Sequence, residues 1–273
     1  LRQLVRLAFG IKHIKLLIRP NPAKLLFVLV ASLIPVTFSH ARQMPSSTAA
    51  SEVFDWKGLQ WNVTNGSIAG VVKASPSNVF VDQNGYLHLK ISKRGRAITA
   101  AEVFSRNDFG FGTYQWQIQG QIDHMNPAIV LGLFLYGPAH RIGADGQNEL
   151  DIEFSKWRKH LCRGHCNADI AIYPASPKLD RTEDNFQIKL HRKAFTTARL
   201  QWTPTRVTVT IMRGLQPIGK NKDVLHTWTF APRDHRARIP QQALPIGMNL
   251  WCFRKTPSRE QEVVIQDFQF VPE

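Results

Sequence analysis

The sequence predicts an all-β chain, and three observations carry that expectation. From residue 55 onward, short runs rich in Val, Ile, Phe, Tyr, Trp and Thr alternate with Gly, Asn, Asp and Pro, with no long segment at helical period. Apolar and polar residues alternate within several runs, as expected of antiparallel sheets with one covered face. Many short strands in one domain above 200 residues point to a sandwich or barrel, and 273 residues at 43% hydrophobic content supply one large core.

Taken in chain order, residues 1–41 stand apart. Arg2, Arg6, Lys12, Lys15, Arg19 and Lys24 precede an apolar run over 25–38 that ends in Ser39-His40-Ala41, the pattern of a secretory signal peptide. The run is short of the ~20 residues a membrane-crossing helix needs, and Pro35 interrupts it, so no stable span is expected after cleavage and the localisation expected is extracellular or periplasmic. Residues 42–54 read as a polar linker or a loose N-terminal strand, and 55–273 as the β domain. Within it, strands are predicted over 86–91, 112–118, 129–135, 206–211 and 263–270, and Asp82-Gln-Asn-Gly85 should close a hairpin.

The formal charge is +15; removal of residues 1–41 would take away six Lys/Arg and no Asp/Glu, leaving +9. Lys and Arg form no run of the kind found in nucleic-acid arms, so nucleic acid is not an expected partner; a solvated basic surface or attraction to an anionic glycan or envelope accounts for the charge. Among the three cysteines, Cys162 and Cys166 form the simplest disulfide, with Cys252 left over. His160 and His165 beside them suggest zinc only weakly, because a second C-x-x-C half is missing, and no metal is expected there.

The chemistry concentrates in Glu149-Leu150-Asp151-Ile152-Glu153-Phe154. As a strand, this strict alternation sends Leu150, Ile152 and Phe154 to the core and three carboxyls to the other face. A solvated strand would mix such a row with Thr or Lys, since crowded carboxylates repel. Glu149 and Glu153 lie about 13 Å apart at Cα, and leaning side chains bring the carboxyls to about 5–6 Å, near the separation at which one carboxylate attacks an anomeric carbon and the other protonates the leaving oxygen. Asp151 between them can hydrogen-bond a neighbour and hold their protonation states apart. By spacing alone, a cation site or an exposed acidic row remains open.

The motif resembles that of glycoside hydrolase family 16, β-jelly-roll enzymes that include lichenases, laminarinases, agarases, carrageenases and xyloglucan transglycosylases. Here the Glu-x-Asp-x-Glu signature is in its unbulged form. Ala101-Glu-Val-Phe-Ser105 with Phe109-Gly-Phe-Gly-Thr-Tyr114, and Met248-Asn-Leu-Trp251, are similar to other family segments. The resemblance implies a concanavalin A-like jelly roll of two antiparallel sheets, with Glu149 as nucleophile, Asp151 as assisting acid and Glu153 as acid/base of an endo-acting retaining hydrolase on a β-linked polysaccharide. It also implies a substrate cleft lined by Glu102, Phe134, Tyr136, Tyr173, Asn249 and Trp251. For Phe134 and Tyr173, core packing fits equally well; Trp251 shares strand parity with Asn249, whereas Leu250 and Cys252 would face the core.

Two departures from the lichenase pattern stand out. Phe104 replaces an Arg, and Gln147-Asn148 replaces a Trp for which Trp157 is the candidate substitute. Some relatives bind a structural calcium near the last strand, where Asp267 is a candidate ligand; no other cofactor is implied. A monomer is expected. A lectin-like module on the same sandwich, or a transglycosylase using the same residues, are the alternatives, since fold alone never fixes activity.

Overall fold

A computed structural model describes residues 52–157, 160–191 and 195–273. The expected leader, 1–41, and residues 42–51 of the expected linker lie outside the described residues. Residues 52–54 belong to the first strand, so the sheet begins three residues earlier than the sequence suggested.

Seventeen strands follow in chain order: β1 (Glu52–Trp56), β2 (Leu59–Val63), β3 (Gly66–Ser67), β4 (Lys73–Ala74), β5 (Val79–Val81), β6 (Leu87–Arg94), β7 (Ala97–Phe109), β8 (Gly112–Gln119), β9 (Ile129–Tyr136), β10 (Glu149–Phe154), β11 (Ala168–Tyr173), β12 (Thr182–Phe186), β13 (Phe195–Trp202), β14 (Val207–Arg213), β15 (Val224–Phe230), β16 (Leu244–Cys252) and β17 (Gln261–Pro272). Fifteen of them pair into two antiparallel sheets, while the short β3 and β4 pair with each other and β4 runs parallel to the start of β7. One runs β1-β2-β7-β16-β9-β10-β11-β12, the other β5-β6-β17-β8-β13-β14-β15. At the far end of β6, Ser92 to Arg94 pair with Ala97 to Thr99 of β7, so one long hairpin stitches the sheets together.

The inner faces meet in an aromatic and aliphatic core. Trp61 of the first sheet packs edge-on against Phe268 of the second at 5.9 Å between ring centroids, and Phe268 in turn meets Trp116 at 5.4 Å. Buried indoles need a partner for their N–H: Trp61 donates to the Trp56 carbonyl at 3.1 Å and Trp202 to that of Pro240 at 3.0 Å.

Local sequence explains the edges and breaks of these strands. Asp82 to Gly85 do close the β5–β6 hairpin: the Asp82 carboxylate accepts from the Asn84 and Tyr86 amides at 2.9 Å each, and Gly85 supplies the positive φ of 75°. Pro245 stands inside the central strand β16, where a missing N–H would break the ladder; it sits at a register shift against β7, and the next amide, Ile246, donates to the Ser105 hydroxyl at 2.8 Å.

β10 is paired on both sides, by β9 and β11, with Leu150, Ile152 and Phe154 fully buried against the second sheet. Ile152→Ala should therefore lower the unfolding free energy by about 2–5 kcal/mol, while Thr229→Ala on an outward face stays within about 0.5 kcal/mol; urea denaturation, compared at unchanged slope, checks both.

Candidate active site

Strand parity and register assemble the site on the outer face of the first sheet. Glu149, Asp151 and Glu153 project there, opposite Tyr136, Phe134 and Gly132 of β9 and Tyr173, Ala171 and Asp169 of β11. β16 adds Gly247, Asn249 and Trp251 beside β9, and β7 adds Glu102 and Phe104. Every cleft residue expected from the sequence thus lies on this face or, for Trp157, reaches it from the segment after β10. The acids are far from solvated: Glu149, Asp151 and Glu153 are 3%, 4% and 6% exposed.

One end of the face is a polar network. The Asn249 side chain donates to the Glu102 carboxylate at 3.1 Å and accepts from the Gly132 amide at 3.1 Å, while the Thr64 hydroxyl donates to the other Glu102 oxygen at 3.1 Å. Asn249 can lie across β9 because Gly132 carries no side chain; a Cβ there would stand 2.5 Å from Asn249 Oδ1. Gly247 plays the same part for Phe134, whose Cε2 would lie 2.1 Å from a Cβ at 247. Phe134 is fully buried in this arrangement, so it forms the floor of the face. Phe104, the residue that departs from the lichenase pattern, meets Phe134 edge-on at 5.6 Å and Tyr136 at 6.4 Å, replacing a charge with an aromatic wall.

The other end joins aromatic rings to further charged groups. The Trp157 indole donates to Asp169 at 2.8 Å and packs edge-on against Trp251 at 5.7 Å and Phe253 at 5.0 Å, which brings it beside the Glu153–Asp169 pair. The Trp251 indole N–H is buried and has no hydrogen-bond partner among the described residues. Arg181 donates to the Tyr173 hydroxyl at 2.6 Å, bridges to Glu183 at 2.9 Å and rests its guanidinium over the Tyr173 ring. Tyr136, at the Glu149 end, donates to Asp145 at 3.0 Å.

Burial, then the negative charge of Glu149 and Asp151, holds the Tyr173 phenol well above its ordinary range, with Arg181 pulling the other way. Burial works against the charge of Arg181, but Tyr173 and Glu183 outweigh it and raise its proton affinity. The face therefore presents a buried row of acids, one fixed cation, a protonated phenol and aromatic surfaces, a combination that suits sugar hydroxyls and ring faces.

Asp169, Arg181, Glu183 and the two glycines were not anticipated. Asp169 was within reach: Ala168-Asp-Ile-Ala-Ile-Tyr173 alternates much as the acid strand does. Arg181 had no local signal, since it comes to Tyr173 from the loop between β11 and β12. Immediately before the acids, Asn148 adopts a left-handed backbone with φ of 50°, a conformation Asn tolerates better than Trp.

The disulfide joins Cys162 to Cys166, and Cys252 is buried with its thiol pushed up to about 11 by burial. Calcium at Asp267 does not fit: the Lys57 ammonium lies 3.1 Å from that carboxylate and the Gln269 amide donates to it at 2.7 Å. Among the described residues no helix is long and apolar enough to cross a membrane.

No protein-family model and no curated protein matches the sequence. Solved structures do match in three dimensions. A GH16 enzyme of the Bacteroides ovatus mixed-linkage glucan PUL, in complex with G4G4G3G product, superposes with a TM-score of 0.62 at 13% identity, covering 82% of this chain and 98% of its own. The Bacillus licheniformis β-glucanase gives 0.54 at 19% identity, with 83% and 100% covered. Laminarinase from Flavobacterium sp. UMI-01 gives 0.59 at 14% identity, with 77% and 92% covered. The fold is that of the family 16 glucanases. The jelly-roll sandwich expected from the sequence is accordingly the architecture of this chain, across nearly the full length of each of these neighbours.

A phenol that keeps its proton in the folded chain after the unfolded chain has lost it leaves stability intact below about pH 10 and erodes it as pH rises further. Tyr114, also raised by burial, acts in the same sense as Tyr173. Unfolding measured from about pH 9 to pH 11 should show declining stability, and the Tyr114→Phe and Tyr173→Phe variants should each flatten that decline.

Proposed function

We propose that this chain is an exported, endo-acting retaining glycoside hydrolase of family 16 that cleaves a β-linked polysaccharide, with a β-glucan as the first candidate. The observation that carries the reading is the row Glu149, Asp151 and Glu153, buried on one face between aromatic strands in the fold of the family 16 glucanases. The glucanase and laminarinase names belong to the structural neighbours; they support a β-glucan as substrate class. The Cys162–Cys166 disulfide supports export, since such bonds persist in oxidising compartments.

In this reading Glu149 attacks the anomeric carbon as the glycosidic C–O bond breaks, and Glu153 gives its proton to the departing oxygen. Water then adds to the anomeric carbon as Glu153 takes back a proton, and the ester bond to Glu149 breaks. Asp151, between the two on the same strand, is the hydrogen-bonding partner that keeps their proton affinities apart. Glu102 and Asn249 offer fixed polar groups, and Trp157, Trp251 and Tyr173 offer ring faces, to orient the sugars on either side of the scissile bond.

Reducing-end release on mixed-linkage and β-1,3-glucans, xyloglucan, agar and carrageenan tests the assignment. The wild type should be active on at least one of them, Glu153→Gln should lose about 10²- to 10⁴-fold in kcat/KM, and Glu149→Gln should be at least as slow, both with unchanged thermal unfolding. Binding to one glycan without turnover of any would instead assign a lectin-like module.

A further inference from the structure

Past the acid strand, neighbouring residues part company. Trp157 turns to Asp169 on the carboxylate face, whereas Lys156 lines a separate cavity of about 500 Å3 together with His124, His165 and Lys189 on its walls. Pockets of this size hold small ligands or the substituents of larger ones. The floor is hydrogen-bonded across two segments of the chain. Asn167 donates to the Ile188 carbonyl at 2.9 Å and accepts from the Ile188 amide at 2.8 Å, and Cys166 of the disulfide closes one side.

The charge of this cavity is net positive. Among the lining residues one carboxylate, Asp123, is 2% exposed in its side chain, accepts from the Leu190 amide at 2.8 Å and lies 2.9 Å from the His124 imidazole. Against it stand two lysines, Lys156 and Lys189, with the imidazoles of His124 and His165 beside them in the lining. The sequence around them is as biased: residues 156–165 and 187–193 together carry seven Lys/Arg and no Asp/Glu. Read as a sequence, these stretches are separate and unremarkable; the fold brings Lys156 and Lys189 to one pocket.

We infer that this cavity is a binding site for an anionic substituent of a glycan, a sulfate ester or a uronate carboxylate, on the polysaccharide that runs past the acid strand. A concave pocket suits a projecting anionic group better than it suits the flat face of a nucleic-acid duplex or a bilayer. Its place at the end of the acid strand, with Lys156 three residues beyond Glu153, is what ties the pocket to a polymer bound along that strand. The inference rests on the glycan-cleft reading for its polymer and on the pocket alone for its charge preference.

Calorimetric titration in the Glu149→Gln background, which does not consume ligand in the proposed mechanism, separates the two. The probes are a sulfated galactan oligosaccharide, a neutral β-glucan oligosaccharide of equal length, inorganic sulfate and a DNA duplex. The sulfated oligosaccharide should bind more tightly than the neutral one, and Lys156→Gln with Lys189→Gln should weaken it at least tenfold, with neutral-glycan binding and thermal unfolding unchanged and with exposed Lys222→Gln as the silent control. The advantage should shrink as salt rises. Equal affinity for the sulfated oligosaccharide in the parent and the double variant would overturn the inference. So would duplex DNA or inorganic sulfate binding as tightly as the sulfated oligosaccharide and losing as much in the double variant. Absence of hydrolysis on every glycan would sink the catalytic reading while leaving this binding difference intact.

Discussion

Holding three carboxyl groups side by side, nearly out of water, on six residues of one strand is the constraint on which the rest of this structure turns. Buried carboxylates are unfavourable unless hydrogen bonds or opposite charges meet them, and close like charges raise one another's proton affinity. The strand tolerates this because its other face is uniformly apolar: Leu150, Ile152 and Phe154 anchor it in the core of the sandwich, and ladders on both sides fix its register. A slip of one residue would drive the acids into that core.

Neighbouring strands answer the constraint in different ways. β9 and β16 supply aromatic cover and a fixed polar network, which depend on Gly132 and Gly247 keeping the backbone bare beneath Asn249 and Phe134. β11 and the loop after it supply Tyr173 and Arg181, a donor and a cation held together by their own hydrogen bond. Trp157 ties the far end to Asp169. The outcome is a largely buried, preorganised face on which charges are worth more than in water, a setting suited to the two-carboxylate chemistry proposed for it.

Most of the fold was legible because period-two patterning is a local property. The five predicted strands correspond to β6, β8, β9, β14 and β17, and the Asp82 turn to the β5–β6 hairpin. β9 shows the limit: Ile129–Tyr136 is apolar on both faces, so pattern alone did not say whether Phe134 faced the core or the site. Register against Asp151 puts it on the site face. Residues whose role depends on another strand's side chain stayed hidden, among them Gly132, Gly247 and Arg181, because no nearby residue hints at the partner. The basic pocket was missed for the same reason; Lys156 and Lys189 are far apart in sequence, and the scattered lysines and arginines read as a solvated surface.

The central claim, that Glu149 attacks the anomeric carbon, is tested most directly by covalent trapping. A 2-fluoro β-glycoside of a cleaved glucan with a good leaving group slows release of the glycosyl-enzyme and lets it accumulate. The account predicts a single adduct by intact mass, mapped to the peptide containing Glu149 and absent in Glu149→Gln. Turnover of the glucan with no adduct, or an adduct on Asp151 or Glu153, would contradict it.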